Sequence, residues 1–242
     1  MQYWALTDQG CVRKQNQDAY QIVQLDRNTL LAVVCDGMGG AKSGNVASQL
    51  AADVFVQEVE RSWNPQSREK IGQILETAVN LANITVFDQS RQIEEFEGMG
   101  TTLVAAAIHG KTATVVNVGD SRAYKIDRTG IRQITKDHSL VQLMVDRGEL
   151  TPEKARTYPG KNLITRAVGT EPTVMTDIFQ LEVEKGDCLL LCSDGLSNMM
   201  DDQEILFEVA HGVNKDQCCQ RLLDIVKGRG APDNVTSVLI MI

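Results

Sequence analysis

Two Asp-Gly pairs follow apolar runs that have the length of buried strands. Residues 30–35 lead into Asp36-Gly37, and residues 188–193 lead into Asp194-Gly195. A carboxylate at the end of a buried strand is costly unless it is paired, hydrogen-bonded or bound to a metal ion. A glycine beside it lets the backbone approach an ion closely. A single Asp-Gly most often marks only a turn, but its repetition after two buried runs favours an ion-binding role.

Two further aspartates have a related setting. Asp120 follows the apolar run 115–118 through Gly119, and Asp233 precedes the final apolar run. In an antiparallel sheet the start of one strand meets the end of its neighbour, so these aspartates can converge with the first two. Oxygen ligands without histidine suit hard cations such as Mg²⁺ or Mn²⁺ rather than Zn²⁺ or copper. Two such ions that share a carboxylate can hold and deprotonate a water. Asp36 is our choice for the shared ligand, with the Gly37 carbonyl as a further ligand.

The N-terminal segment adds a guanidinium to these oxygen ligands. It reads Thr7-Asp8-x-Gly10-x-x-Arg13-x-x-Asn16-Gln17-Asp18. Arginine presents a planar fork that matches two phosphate oxygens. Because a lone arginine is most often a solvated surface group, Arg13 gains significance only within a larger pattern.

The periodicity of apolar residues predicts the elements that position these groups. Helical spacing indicates helices around residues 46–55 and 71–82, and residues 138–158 predict two short helices, the second opened by Thr151-Pro152. Asp201-x-x-Glu204 and Asn214-x-x-Gln217 resemble capping boxes that begin two later helices. Strands are predicted over residues 2–7, 19–24, 29–35, 101–108, 112–118, 121–126, 177–183, 188–193 and 235–242. Runs of strands and then helices, without a linker or repeat, favour one α+β domain.

The composition excludes several classes of protein. With 24 Lys plus Arg against 32 Asp plus Glu, the net charge is −8, which disfavours binding to nucleic acid. No apolar run approaches the about 20 residues of a membrane helix, and the N-terminus lacks a secretory pattern, so we expect a cytoplasmic protein. The six cysteines form no C-x-x-C pair, which favours reduced thiols. Nothing indicates an obligate oligomer, and a monomer is expected.

The motifs, taken in order, resemble the metal-dependent protein phosphatases, the type 2C serine/threonine phosphatases, in their compact bacterial form. The resemblance extends from Thr7 to Thr236. The motifs that carry it are Asp36-Gly37-Met38-Gly39-Gly40, Gly98-Met99-Gly100-Thr101-Thr102, Gly119-Asp120-Ser121-Arg122, Asp137-His138-Ser139, Ile164-Thr165-Arg166-Ala167-x-Gly169, Ser193-Asp194-Gly195-Leu196 and Asp233-Asn234-x-Thr236.

The resemblance implies a fold and a site. The fold is α+β, with two antiparallel β-sheets in a sandwich flanked by α-helices in four layers, and residues 1–242 form a single catalytic domain with a flap at about 138–162. The site holds two Mn²⁺ or Mg²⁺ ions and a weaker third. The implied metal ligands are Asp18, acting mostly through metal-bound water, Asp36, bridging two ions, the Gly37 carbonyl, Asp120 and Asp194 at the third ion, and Asp194 and Asp233 as direct ligands.

The resemblance also implies the reaction. Asp36, Asp194 and Asp233 form the catalytic set, and Arg13 binds the substrate phosphate. A metal-bridging water attacks the phosphorus of phosphoserine or phosphothreonine without a phosphoenzyme. The partners are phosphorylated proteins, including a serine/threonine kinase and its substrates, and neither nucleic acid nor a membrane is implied.

Three positions depart from the family pattern. Met38 and Ala41 occupy the loop in which many relatives carry a histidine that can protonate the leaving group. We therefore expect a steeper dependence of the rate on the pKa of the leaving alcohol. Asn198 stands where many relatives have a second aspartate for the third ion, which puts the affinity for that ion in question.

Other functions remain as alternatives. A non-catalytic, phosphoprotein-binding member of the fold would normally have lost metal ligands, and none of the matched ligands is lost. A phosphohydrolase for a small phosphorylated molecule stays open, because the catalytic centre recognises phosphate more than its carrier. Residues 37–43 end in Lys42-Ser43 before a helix, but Ala41 replaces the glycine that a nucleotide phosphate loop requires there.

Overall fold

The computed structural model describes residues 1–39, 43–212 and 214–242, and for residues 67–69 it describes the backbone alone. The strands are β1 (Gln2–Asp8), β2 (Asp18–Asp26), β3 (Thr29–Met38), β4 (Gly100–Thr101), β5 (Leu103–His109), β6 (Thr112–Val118), β7 (Arg122–Asp127), β8 (Gly130–Gln133), β9 (Asp177–Glu182), β10 (Cys188–Cys192) and β11 (Val235–Met241). The helices are α1 (Gly44–Ser62), α2 (Ile71–Gln92), α3 (Leu140–Asp146), α4 (Pro152–Ala155), α5 (Asp194–Ser197), α6 (Asp202–His211) and α7 (Cys218–Gly228).

The strands form two antiparallel sheets. One has the order β1-β11-β10-β7-β8, and the other has the order β2-β3-β5-β6-β9 with β4 paired to β3. Helices α1 and α2 pack on the second sheet, and α6 and α7 pack on the first. The predicted α+β sandwich flanked by helices is confirmed, whereas the assignment of residues 1–242 to a single domain stays a prediction.

Strand β3 shows why its sequence is apolar without interruption. Leu31, Val33 and Cys35 belong to the core beneath the helices, whereas Leu30 and the other alternate residues belong to the core between the sheets. A strand buried on both faces has no polar face to alternate with. The strand also continues past its apolar run to Met38, so Asp36 and Gly37 lie within it.

One of the two predicted capping boxes is confirmed and the other is wrong. Asp201 accepts from the Glu204 backbone, and the Glu204 side chain accepts from the Asp201 backbone, which starts α6. Asn214 makes no side-chain cap. Its carbonyl accepts from Arg221 instead, and a 3₁₀ turn over Lys215–Gln217 precedes α7. Strands β4 and β8 were not predicted.

The segment 138–162 contains two short helices, as predicted. The Ser139 side chain caps α3, and Thr151 caps α4 with a proline in its first turn. Cys11 is exposed, the other five cysteines are buried, and all six are free. Among the described residues, each helix is too short or too polar to pass through a bilayer.

Candidate active site

The pairing of β2 with β3 places Asp18 directly opposite Asp36. Thr102, just before β5, fixes the backbone of Asp36 from the other side. Its hydroxyl accepts from the Asp36 N–H at 3.0 Å, and its own N–H donates to the Asp36 carbonyl at 2.9 Å. Asp36 is thus held in the middle of the sheet, because both neighbouring strands constrain its main chain.

Two glycines allow the chain to close around these aspartates. A Cβ on Gly37 would overlap the carbonyl oxygen of Gly44 and come within 2.6 Å of that of Gln17. A Cβ on Gly195 would overlap the carbonyl oxygen of Asn234. Any larger residue at either position would push the strand ends apart, so the Asp-Gly pairs are close backbone contacts and more than turns.

The other carboxylates come from loops at the same end of the sandwich. Asp194 begins α5 after β10, and its Oδ2 accepts from Asn198 Nδ2 at 2.9 Å. Asp233 lies just before β11 and accepts from Arg13 through its Oδ2 at 2.6 Å. Asp120 is buried at the end of β6, after Gly119 with a φ of +108°.

A recess of about 260 Å³ joins these groups. Its lining includes every predicted site residue except Asp18, which lies behind Asp36 on β2. The lining residues are Arg13, Gln17, Asp36, Gly37, Met38, Gly39, Thr102, Asp120, Asn162, Ile164, Asp194, Asp233 and Asn234. Gly40, Ala41 and Lys42, which complete the loop after Asp36, lie outside the described residues.

The carboxylates of the recess disfavour one another's charge. Burial, followed by the charges of Asp18 and Asp194, raises the pKa of Asp36 well above its usual value. Burial and the Asp233 charge raise the pKa of Asp194 to about 6. Burial also raises the pKa of Asp120, with Asp194 adding to it. Mutually repelling carboxylates at one recess are a setting in which a cation is stabilising.

The surroundings of Asp18 indicate most clearly that its carboxylate would be stabilised by a cation. Burial raises its pKa to about 7, although hydrogen bonds from Thr236 and Ser193 act in the opposite direction. Its Oδ2 accepts from Ser193 Oγ at 2.8 Å. Its Oδ1 is buried without a hydrogen-bond partner. An orphaned, buried carboxylate oxygen beside further carboxylates fits the all-oxygen ligation of Mg²⁺ or Mn²⁺.

As placed, no three His, Cys, Asp or Glu side chains of the described residues are close enough together to hold one ion. Two of these carboxylates accept hydrogen bonds from other side chains, Asp194 from Asn198 and Asp233 from Arg13. The oxygen ligands therefore suit a hard cation, and the carboxylates lie around the recess rather than around a single point within it.

His138 has a structural role in this arrangement. Its buried ring accepts from the Gly119 N–H at Nδ1, 3.0 Å away, and its Nε2 lies 3.3 Å from Asp177. Burial lowers its pKa despite the Asp177 carboxylate. Arg166 pairs with the same Asp177 at 2.7 Å.

Sequence reasoning did not assign roles to several residues that hold the site. Thr102 fixes Asp36, and Ser193 bridges Asp18 to the backbone N–H of Thr236. All three occur in the quoted motifs, and Ser193 directly precedes the predicted ligand Asp194. Hydroxyl residues at strand ends are a signal for this role, since they can bond to a neighbouring strand as well as to a carboxylate.

Comparison with known proteins agrees with this geometry. A family model described as protein phosphatase 2C matches residues 12–227. The serine/threonine phosphatase stp of Listeria monocytogenes serotype 4b is 33% identical over 234 residues, covering 97% of this chain and 93% of that protein. The protein phosphatase PhpP of Streptococcus pneumoniae serotype 2 is 34% identical over 242 residues, covering 99% and 97%.

Solved structures give the same relationship. The serine/threonine phosphatase Stp1 of Staphylococcus aureus superposes with a TM-score of 0.94 at 36% identity, covering 99% of this chain and 94% of that one. The catalytic domain of the serine/threonine protein phosphatase PstP, in complex with two manganese ions, superposes with a TM-score of 0.85 at 34% identity, covering 98% and 96%.

Proposed function

The chain belongs to the protein phosphatase 2C family of serine/threonine phosphatases, and from that premise we propose a metal-dependent phosphoprotein phosphatase whose centre is the recess around Asp36. The observation that carries the proposal is the recess itself. It brings buried carboxylates with raised pKa values beside one guanidinium, that of Arg13. That combination can bind two hard cations and a phosphate group together.

The assignment of the ligands follows the family resemblance, and all of them except Asp18 line the recess. Asp36 would be shared by two Mn²⁺ or Mg²⁺ ions, with the Gly37 carbonyl as a further ligand. Asp194 and Asp233 would complete the direct ligands of one ion, and Asp18 would act from behind through water. Asp120 and Asp194 would hold a weaker third ion, where the amide of Asn198 supplies no charge.

When bound, the ions would supply Lewis-acid activation of water and of the phosphate oxygens. The chain's own residues bind and orient the substrate. Arg13 NH2 already lies at the recess beside Asp233, so its remaining N–H groups can donate to two phosphate oxygens. Thr102 and Ser193 keep Asp36 and Asp18 in place. The recess lies among the strand ends of both sheets. Because the sheets hold these strand ends in place, the site needs little reorganisation during phosphoryl transfer.

The described lining offers no histidine to protonate the leaving alcohol. Met38 and Gly39 line the recess, and the buried ring of His138 accepts from the Gly119 N–H. Water would then supply the proton, which makes the rate depend on how well the alcohol leaves as an anion.

The substrate we propose is a phosphoserine or phosphothreonine on a protein, including those made by a serine/threonine kinase that this protein would counteract. Asn162, at the end of the proposed flap (about 138–162), and Ile164 just after it line the recess, so the flap would contact the chain that carries the phosphate. We propose a monomer that acts in the cytoplasm.

The test is a comparison of substrates with and without metal. We expect kcat/KM for a phosphothreonine peptide to exceed that for small sugar and glycerol phosphates in Mn²⁺, and EDTA to abolish both activities. Faster turnover of the small phosphates would assign the same centre to a phosphometabolite. Turnover that EDTA leaves intact would contradict the metal-dependent mechanism.

A further inference from the structure

The segment that carries Arg13 has little structure of its own. Residues 9–17 form neither helix nor strand, and residues 11–15 are exposed. Arg13 nevertheless reaches Asp233 at 2.6 Å. An exposed arginine on a loose segment loses conformational entropy whenever it binds phosphate. Besides the hydrogen bond from Gln9 Nε2 to the Arg13 carbonyl at 2.7 Å, contacts from outside the segment can hold its backbone and reduce this cost.

Asn234 has the contacts to do so. It is 4% exposed, and its side chain bonds to three backbone groups that flank Arg13. Its Nδ2 donates to the carbonyls of Gln9 and Gln15, both at 2.9 Å. Its Oδ1 accepts from the Gln17 N–H, also at 2.9 Å. Both side-chain N–H groups of Asn234 and its side-chain oxygen are thus hydrogen-bonded to this one segment.

The backbone of the segment fits closely against the same turn. The Cys11 N–H donates to the Ala231 carbonyl at 2.9 Å. Gly10 has a φ of +76°, and a Cβ there would overlap the Asp233 carbonyl oxygen. The turn before β11 therefore contains a proposed metal ligand, Asp233, and also holds the segment that carries the phosphate-binding Arg13. Asn234 connects the turn to that segment.

We propose that Asn234 is a positioning residue for substrate phosphate, acting through the Gln9–Gln17 backbone to preorganise Arg13. The proposal rests on the proposed function, since it gives Arg13 the phosphate as its ligand. It goes beyond a structural role for Asn234, because it predicts that losing the side chain weakens phosphate binding even when the fold is intact.

Asn83 provides a matched control. It is 1% exposed, its Nδ2 donates to the Glu171 carbonyl at 3.0 Å, and its Oδ1 accepts from the Gly169 N–H at 2.7 Å. Like Asn234, Asn83 connects two parts of the chain through hydrogen bonds to backbone groups. None of its partners lines the recess. Asn83→Ala therefore measures the general cost of removing a buried asparagine.

The kinetic experiment compares Asn234→Ala, Asn83→Ala, Arg13→Ala and the Arg13→Ala/Asn234→Ala double variant in Mn²⁺. We expect Asn234→Ala to raise the KM of a phosphothreonine peptide and the inhibition constant of inorganic phosphate on the order of tenfold, as for one lost charge-assisted hydrogen bond, with a much smaller change in kcat. In the Arg13→Ala background the second substitution should change neither constant, because both act on one group.

Equal effects of Asn234→Ala and Asn83→Ala on the phosphate inhibition constant would overturn the proposal, as would full additivity with Arg13→Ala. If Asn234→Ala does not fold, Asn234→Leu decides, because leucine has nearly the same shape, loses all three hydrogen bonds and adds no charge to the recess. A wild-type protein without metal-dependent turnover would instead contradict the proposed function. Hydrogen exchange of residues 9–17 then still tests the positioning, with faster exchange expected in Asn234→Leu and an unchanged rate in Asn83→Ala.

Discussion

Removing the negative charge of Asp18 should stabilise the metal-free protein at neutral and alkaline pH. The pKa of Asp18 is raised from 3.8 to about 7, chiefly by burial. A raised carboxyl pKa means that ionisation opposes folding. Each pKa unit corresponds to about 1.4 kcal/mol, so a shift of this size costs up to about 4 kcal/mol once the group is ionised in both states.

The sign of the pH dependence follows from the same shift. Below about pH 4 the carboxyl is protonated in the folded and unfolded states, and it has no effect on stability. Between the unfolded pKa of 3.8 and the folded value of about 7, the folded state binds the extra proton. Stability should therefore fall as the pH rises through this window, and the full cost should be present above it.

The assay is urea unfolding of the EDTA-treated protein at pH 5 and pH 8. Asp18→Asn keeps an oxygen to accept from Ser193 and should gain stability over the wild type at pH 8, with a smaller gain at pH 5. Asp127→Asn is the matched control, for which the expected change in stability has the opposite sign. Lys125 and Thr129 lower the pKa of Asp127 to about 2, so its loss should destabilise the protein at both pH values. An Asp18→Asn protein no more stable than the wild type at pH 8 would refute the reasoning.

Three further predictions concern the frame and the chemistry. Gly195→Ala should destabilise the protein by about 1–3 kcal/mol and reduce activity, because the added Cβ would overlap the Asn234 carbonyl oxygen. Thermal unfolding and phosphate release measure the two effects, and an unchanged melting temperature would contradict the close contact. A series of aryl phosphates should show a steep decline of kcat/KM with leaving-group pKa, and a flat series would reveal a proton donor. Glu204→Ala should lower stability by about 1 kcal/mol with activity retained, because Glu204 closes the α6 capping box and pairs with Arg229. Loss of activity at unchanged stability would place Glu204 in the site instead.

The sequence was informative where burial and local chemistry coincide. Asp36 and Asp194 could be identified because a carboxylate directly after a fully apolar run requires a partner. The Asp201 capping box was predicted because its hydrogen bonds join residues three apart. The same pattern at Asn214 did not form a box, because a 3₁₀ turn over Lys215–Gln217 follows Asn214 in place of the first turn of an α-helix.

Contacts between distant segments could not be read from the chain. The bonds of Asn234 to Gln9 and Gln15 span more than 200 residues, and no local pattern specifies them. The pairing of Thr102 with Asp36 is equally non-local. Asp233 could be placed near a neighbouring strand end by the rule for antiparallel sheets, but its partner Arg13 required the fold.

The central claim is that a metal centre at Asp36 hydrolyses phosphoprotein monoesters. Phosphate release from a phosphothreonine peptide, measured with Mn²⁺, with Mg²⁺ and with EDTA for the wild type, Asp36→Asn and Asp194→Asn, tests it most directly. We predict metal-dependent turnover in the wild type that EDTA abolishes and that both substitutions reduce by orders of magnitude. Full activity in either folded variant, or turnover that does not need metal, would contradict the assignment.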